Sequence, residues 1–155
     1  MTSHENDIGL AQTYWQMALG RINADKIKLP EPDMLVNPGM ELNISGWGII
    51  SYEKPNDKIK WSEFLQFATV STIDQQQCLK DYPESSKAYI FCARGEEGAN
   101  VCTTVGDRGG PAANNRVLLG IIIATFNINC DSPKPDLFSD VSKYISWIKT
   151  YIHDL

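Results

Sequence analysis

Basic blocks, long apolar runs and histidines are what this sequence has least of. No cluster of lysines and arginines occurs along its 155 residues, and 14 cations against 19 anions leave a formal net charge of −5. A nucleic-acid or anionic-membrane partner therefore finds no electrostatic footprint. No apolar run approaches the roughly 20 residues that a membrane-spanning helix needs. The opening residues MTSHENDIGL are polar and acidic, unlike a secretory leader. Histidine is confined to His4 and His153 at the two ends, and neither has ligand spacing to a cysteine, which argues against a bound metal. There is no internal repeat and no low-complexity segment. What remains, 43% hydrophobic and 21% charged, suits one globular domain or a large piece of one.

Four cysteines are present: Cys78, Cys92, Cys102 and Cys130. They form an even set with wide, irregular gaps and no C-x-x-C, a pattern that fits two disulfides better than zinc and leaves the pairing open. Disulfides without a leader are in tension, and suggest that the N-terminal part of a secreted ancestor is absent.

Periodicity places the elements. Over residues 41–48, Leu42 and Ile44 alternate with polar residues and lead into Gly46-Trp47-Gly48, a strand ending where backbone must pass close to something else. Residues 54–60 read as a charged surface loop. Residues 64–70 and 89–92 read as further strands. Asn114-Asn115-Arg116 is a turn before Val117–Ala124, whose continuous β-branched run predicts a strand buried on both faces. Val141, Ile145, Ile148 and Ile152 then recur as one helical stripe, with Ser139 or Asp140 as a cap and Trp147 beside it. Short strands and one terminal helix make an all-β barrel or sandwich with a docked helix.

The stretch Cys102-Thr103-Thr104-Val105-Gly106-Asp107-Arg108-Gly109-Gly110-Pro111 reads as an active-site loop without its nucleophile. Its glycines let backbone N–H groups converge as an oxyanion requires. At the apex stands Arg108, whose guanidinium has only donors and cannot attack a carbonyl. Thr103 and Thr104 carry hydroxyls, but no base is placed to activate either.

Taken in order, Asn6-Asp7-Ile8, Ile27 to Pro30, Ser45-Gly46-Trp47-Gly48, Phe91-Cys92-Ala93, Gly106-Asp107-x-Gly109-Gly110-Pro111 and the 141–152 helix with Tyr144 and Trp147 resemble the trypsin/chymotrypsin-like serine proteases, peptidase family S1. Within that family, residues 22–30 are similar to mite gut trypsins and their proteolytically inactive paralogues. The resemblance implies the C-terminal Greek-key β-barrel of a two-barrel fold, with the first barrel mostly missing. Residues 1–40 would be its remnant and the connection, 41–138 the second barrel, and 139–155 a C-terminal α-helix. The implied bridges are Cys78–Cys92 and Cys102–Cys130.

The resemblance also assigns positions. Asp7 falls on the triad aspartate, while the triad histidine would lie upstream of Met1. Arg108 replaces the nucleophilic serine. Gly106 and Arg108 would donate the oxyanion-hole N–H groups, although Thr103, Thr104 and Val105 stand between Cys102 and Gly106 where the family usually has a single residue. Asn100 sits where trypsins carry the pocket acid. Ile123-Ala124-Thr125 falls on the substrate strand, with Thr125 closing a pocket that glycine normally leaves open. Asp107 is the acid that a mature enzyme's new N-terminal amine would hold; here it is expected either to face solvent in a zymogen-like loop or to pair with a local cation.

The expected function is that of a non-catalytic homologue acting by protein binding, with no cofactor and no metal. Its implied partners are substrate-like proteins or host complement components, in an extracellular setting. The alternative is a truncated fragment of a trypsin-like endopeptidase. An active peptidase is the least supported reading, since both nucleophile and base are missing.

Overall fold

The computed structural model describes residues 6–20, 24–53, 58–85, 88–96, 102–124, 130 and 133–152. Eight strands follow in chain order: β1 (Glu41–Gly46), β2 (Ile49–Glu53), β3 (Lys58–Trp61), β4 (Gln66–Thr72), β5 (Ile90–Arg94), β6 (Pro111–Asn114), β7 (Val117–Ala124) and β8 (Asp136–Asp140). Helix α1 (Gln75–Asp81) lies between β4 and β5, and a 3-10 turn (Val141–Tyr144) leads into α2 (Ile145–Lys149). Six strands close into a barrel in the order β1-β4-β5-β8-β7-β6, and β2 and β3 form a separate hairpin. The barrel shuts where β6 meets β1, at Asn43↔Ala113 and Ile44↔Ala112.

Alternation fills the barrel. Leu42 and Ile44 of β1 point inward with Val70, Phe91, Leu119, Ile122 and Phe138, each 5% exposed or less. The rings of Phe91 and Phe138 stack at 5.2 Å. A Cβ at Gly120 would strike the Phe91 ring, so only glycine lets β7 pass that close.

Over residues 117–123 the strand packs on both faces, as its composition predicts, with Leu118 and Ile121 on the outer face only partly buried. Leu119 and Ile122 face the barrel interior, while Leu118 and Ile121 pack beneath Val141, Tyr144, Ile145 and Ile148. A bulge between Ile122 and Ala124 breaks the alternation against β8. The extra residue, Ile123, joins a second cluster with Cys78, Tyr82, Cys92 and Leu137.

Disulfides join Cys78 to Cys92 and Cys102 to Cys130. The first pins α1 to β5. The helix begins where Asp74 accepts a hydrogen bond from the Gln76 N–H at 2.8 Å.

Some boundaries differ from the sequence expectation. The 54–60 stretch is not wholly loop, because β3 starts at Lys58 and pairs with β2; residues 54–57 lie outside the described part. The last strand reaches Asp140, past the expected barrel boundary at 138. The terminal helix is a 3-10 turn followed by one short α-helix. Asp140 is the cap: its carboxylate accepts from the Ser142 N–H at 2.9 Å and the Ser142 hydroxyl at 2.6 Å. Burial pushes that carboxyl above the usual range, with both hydrogen bonds opposing. Val141, Ile145 and Ile148 are buried, but Ile152 is 40% exposed because the last turn closes at Thr150, whose N–H and hydroxyl both bond the Trp147 carbonyl.

Candidate active-site loop

The 102–111 loop is fixed from two sides. Gly106 and Gly109 take φ of +103° and +84°, left-handed values that a side chain would strain. Within the loop the Asp107 N–H reaches the Thr104 carbonyl at 3.0 Å, and the Gly110 N–H reaches the Asp107 carbonyl at 2.9 Å. Gly109 N–H to Ile122 carbonyl and Ile122 N–H to Gly110 carbonyl tie it to β7.

At its centre is the Asp107 carboxylate. One oxygen accepts from the Gly48 N–H at 2.8 Å, and the other from the Thr104 N–H at 2.8 Å and the Thr104 hydroxyl at 3.0 Å. A Cβ at either Gly46 or Gly48 would collide with this carboxylate. The Gly-Trp-Gly motif is therefore a seat for Asp107. Neither sequence expectation for this residue is met: it does not face open solvent and makes no ion pair among the described residues. Neutral donors are enough, because converging N–H dipoles and a hydroxyl replace the water that an ionised carboxylate loses.

Arg108 is exposed and pairs with no carboxylate among the described residues. The N–H groups of Gly106 and Arg108 make no hydrogen bond among the described residues. Beside Gly106 stands Trp61 from the end of β3: a Cβ built on Gly106 would lie 2.7 Å from the indole Cζ3. Sequence reasoning missed this neighbour, since Trp61 follows a segment read as loop.

Behind the loop is a second carboxylate that nothing in the sequence singled out. Asp136, at the start of β8, is 3% exposed, and Thr103 is 1% exposed. The Thr103 N–H and hydroxyl each donate to one oxygen of Asp136, both at 2.8 Å. Among the described residues no cation pairs with it. Burial pushes its carboxyl up to about 6; the two Thr103 bonds oppose the shift and the Asp107 charge adds to it. The Thr103 hydroxyl is thus spent on a buried acid and is closed to any substrate. Thr104 is likewise buried, its hydroxyl shared between Asp107 and the Ile49 carbonyl.

Asp7 is exposed, its carbonyl accepts from the Ser139 hydroxyl at 3.0 Å, and no hydrogen bond or ion pair joins it to residues 102–111. Ile123 packs in the core with Cys78, Tyr82, Cys92 and Leu137, directly after Ile122, which is bonded to Gly109 and Gly110 of the loop. Ala124 pairs with Leu137 through its backbone. Asn100 and Thr125 lie outside the described residues. Among the described residues no group of acidic, histidine or cysteine side chains is arranged to hold a metal ion, and no helix is long and apolar enough to cross a membrane.

Residues 1–148 match the family model described as Trypsin. The chain belongs to the trypsin family. It is 36% identical over 151 residues to trypsin Blo t 3 of Blomia tropicalis, an alignment covering 94% of this chain and 54% of that protein. Among solved structures it is similar to the scabies mite inactivated protease paralogue S-D1, with a TM-score of 0.69, 26% identity, and 84% of this chain against 55% of that one. Paralogue S-I1 gives a TM-score of 0.67 at 26% identity, covering 88% and 56%. The chain thus spans about half the length of the trypsin-family proteins it matches. The closed barrel with its short C-terminal helix is the corresponding part of the chymotrypsin-like two-barrel fold.

Proposed function

We propose that this trypsin-family chain is non-catalytic and acts outside the cell by binding proteins through its retained barrel surface. The observation that carries the reading is the loop itself. Its glycines, its caged Asp107 and its ties to β7 are kept, yet the apex residue is Arg108, which cannot serve as a nucleophile. The Trp61 indole against Gly106 supports the same reading, because it fills space beside one of the two assigned oxyanion donors. Likeness to two mite paralogues that are themselves named as inactivated adds weight. Two disulfides suit an oxidising, extracellular setting. The partners are substrate-like proteins or host complement components. The half-length match favours a second reading, in which the chain is part of a longer trypsin-family protein without an independent role.

A paired assay tests the proposal. A fluorophosphonate serine-hydrolase probe should leave the chain unlabelled. In molar excess, the chain should slow cleavage of a protein substrate by active trypsin while leaving a small chromogenic substrate unaffected. Specific labelling, or no effect on the protein substrate, would overturn it.

A further inference from the structure

At the opposite end of the β6–β7 hairpin from the glycine loop, the chain forms a cavity of about 700 Å³ bounded by residues 25–32, the Asn115-Arg116 turn and α2. That volume lies within the roughly 300–1,000 Å³ typical of ligand sites. One wall is an extended segment held to β7 at a single point. The Lys28 N–H reaches the Arg116 carbonyl at 3.1 Å, and the Leu118 N–H reaches the Lys28 carbonyl at 2.8 Å. Backbone groups alternate in direction along extended chain, so those of Ile27 point away from β7. Neither its N–H nor its carbonyl has a partner among the described residues. An unpaired extended edge is a template for another strand.

The charge around the cavity runs against that of the molecule. Lys26, Lys28, Arg116 and Lys149 face it with only Asp25 and Glu31 in opposition, four cations against two carboxylates on a chain of net charge −5. Arg116 is paired with Asp25 at 3.4 Å, whereas Lys26, Lys28 and Lys149 make no ion pair among the described residues. Between them the floor is apolar, formed by Ile27, Leu29 and Ile145. A small inorganic anion would use the lysines and leave the floor wet. A peptide alternating acidic and apolar side chains matches lysines, floor and open edge together.

We infer that this cavity docks an extended acidic segment of a partner protein, laid along residues 25–29 with carboxylates on the lysines and an apolar side chain on the Ile27–Ile145 floor. The site is separate from the glycine loop, and its failure would leave the catalytic reading untouched. The test is fluorescence anisotropy with a labelled short peptide of alternating glutamate and leucine, against the same peptide with lysine for glutamate. Only the acidic peptide should bind, more weakly as salt is added. It should also slow amide exchange at Ile27. The exposed double change Lys28→Glu with Lys149→Glu should weaken binding at least about tenfold without moving the melting temperature. Equal binding by parent and variant, no binding of the acidic peptide, or binding of heparin in its place would each overturn the inference.

Discussion

Asp107→Ala should cost the fold about 3 kcal/mol, because it leaves the Gly48 and Thr104 N–H groups without their acceptor in a tightly packed seat. Against a total stability of roughly 5–15 kcal/mol, that is a large fraction. Gly48→Ala should do comparable damage from the other side, since its new Cβ would occupy the space of the carboxylate and of the Thr104 hydroxyl. Asp107→Asn should be milder, as the amide keeps one accepting oxygen. Urea unfolding at pH 7 reads all three. Loss of less than about 1 kcal/mol in Asp107→Ala would mean that water or another acceptor replaces the carboxylate at little expense. The prediction bears on function because this cage sets the path of the loop and thereby where Arg108 is displayed.

Asp136→Asn should act in the opposite direction at neutral pH. With its folded-state value raised to about 6, Asp136 binds its proton more tightly in the folded chain than in the unfolded one. Its contribution is therefore fully present below the unfolded value near 4 and is lost as pH rises through about 6. Above pH 7 the ionised form costs roughly 3 kcal/mol relative to acid. The asparagine amide can accept from the Thr103 N–H and donate to its hydroxyl, so the bonding survives without the charge. Unfolding free energies of parent and variant at pH 4 and pH 7.5 should diverge by roughly 2 kcal/mol in favour of the variant at the higher pH, the rest of the effect lying below pH 4. A difference that stays constant across that range would show that Asp136 does not titrate there.

How much of this could be read from the sequence depended on whether the signal was local. Strands β1 and β7 announce themselves by alternation and by a β-branched run, and the terminal helix by its apolar stripe and the Asp140 cap. The loop is legible because Gly106 and Gly109 occupy conformations that other residues resist. Helix α1 was invisible: its sequence QQQCLKD has one fully buried residue, Cys78, and the bridge to Cys92 holds it rather than a hydrophobic face. Strand β3 has no buried face at all and exists by pairing with β2. Thr104 reaches Asp107 from three positions away, but Gly48 reaches it across 59 positions and Thr103 reaches Asp136 across 33, so no motif spacing could have announced those two contacts. For Asp107 the sequence offered solvent or a cation, and the chain uses two backbone N–H groups and the Thr104 hydroxyl instead. Asn100 and Thr125, on which the expected loss of the pocket rests, fall outside the described residues.

Under the proposed function the loop is a retained scaffold whose chemistry is lost at more than its apex. The most direct measurement is peptide hydrolysis by the Arg108→Ser chain, run beside the parent with a broad set of chromogenic substrates. On the proposed reading neither protein turns over above the buffer blank, since a serine without a positioned base is a weak nucleophile. Turnover by Arg108→Ser that a fluorophosphonate abolishes would contradict the account.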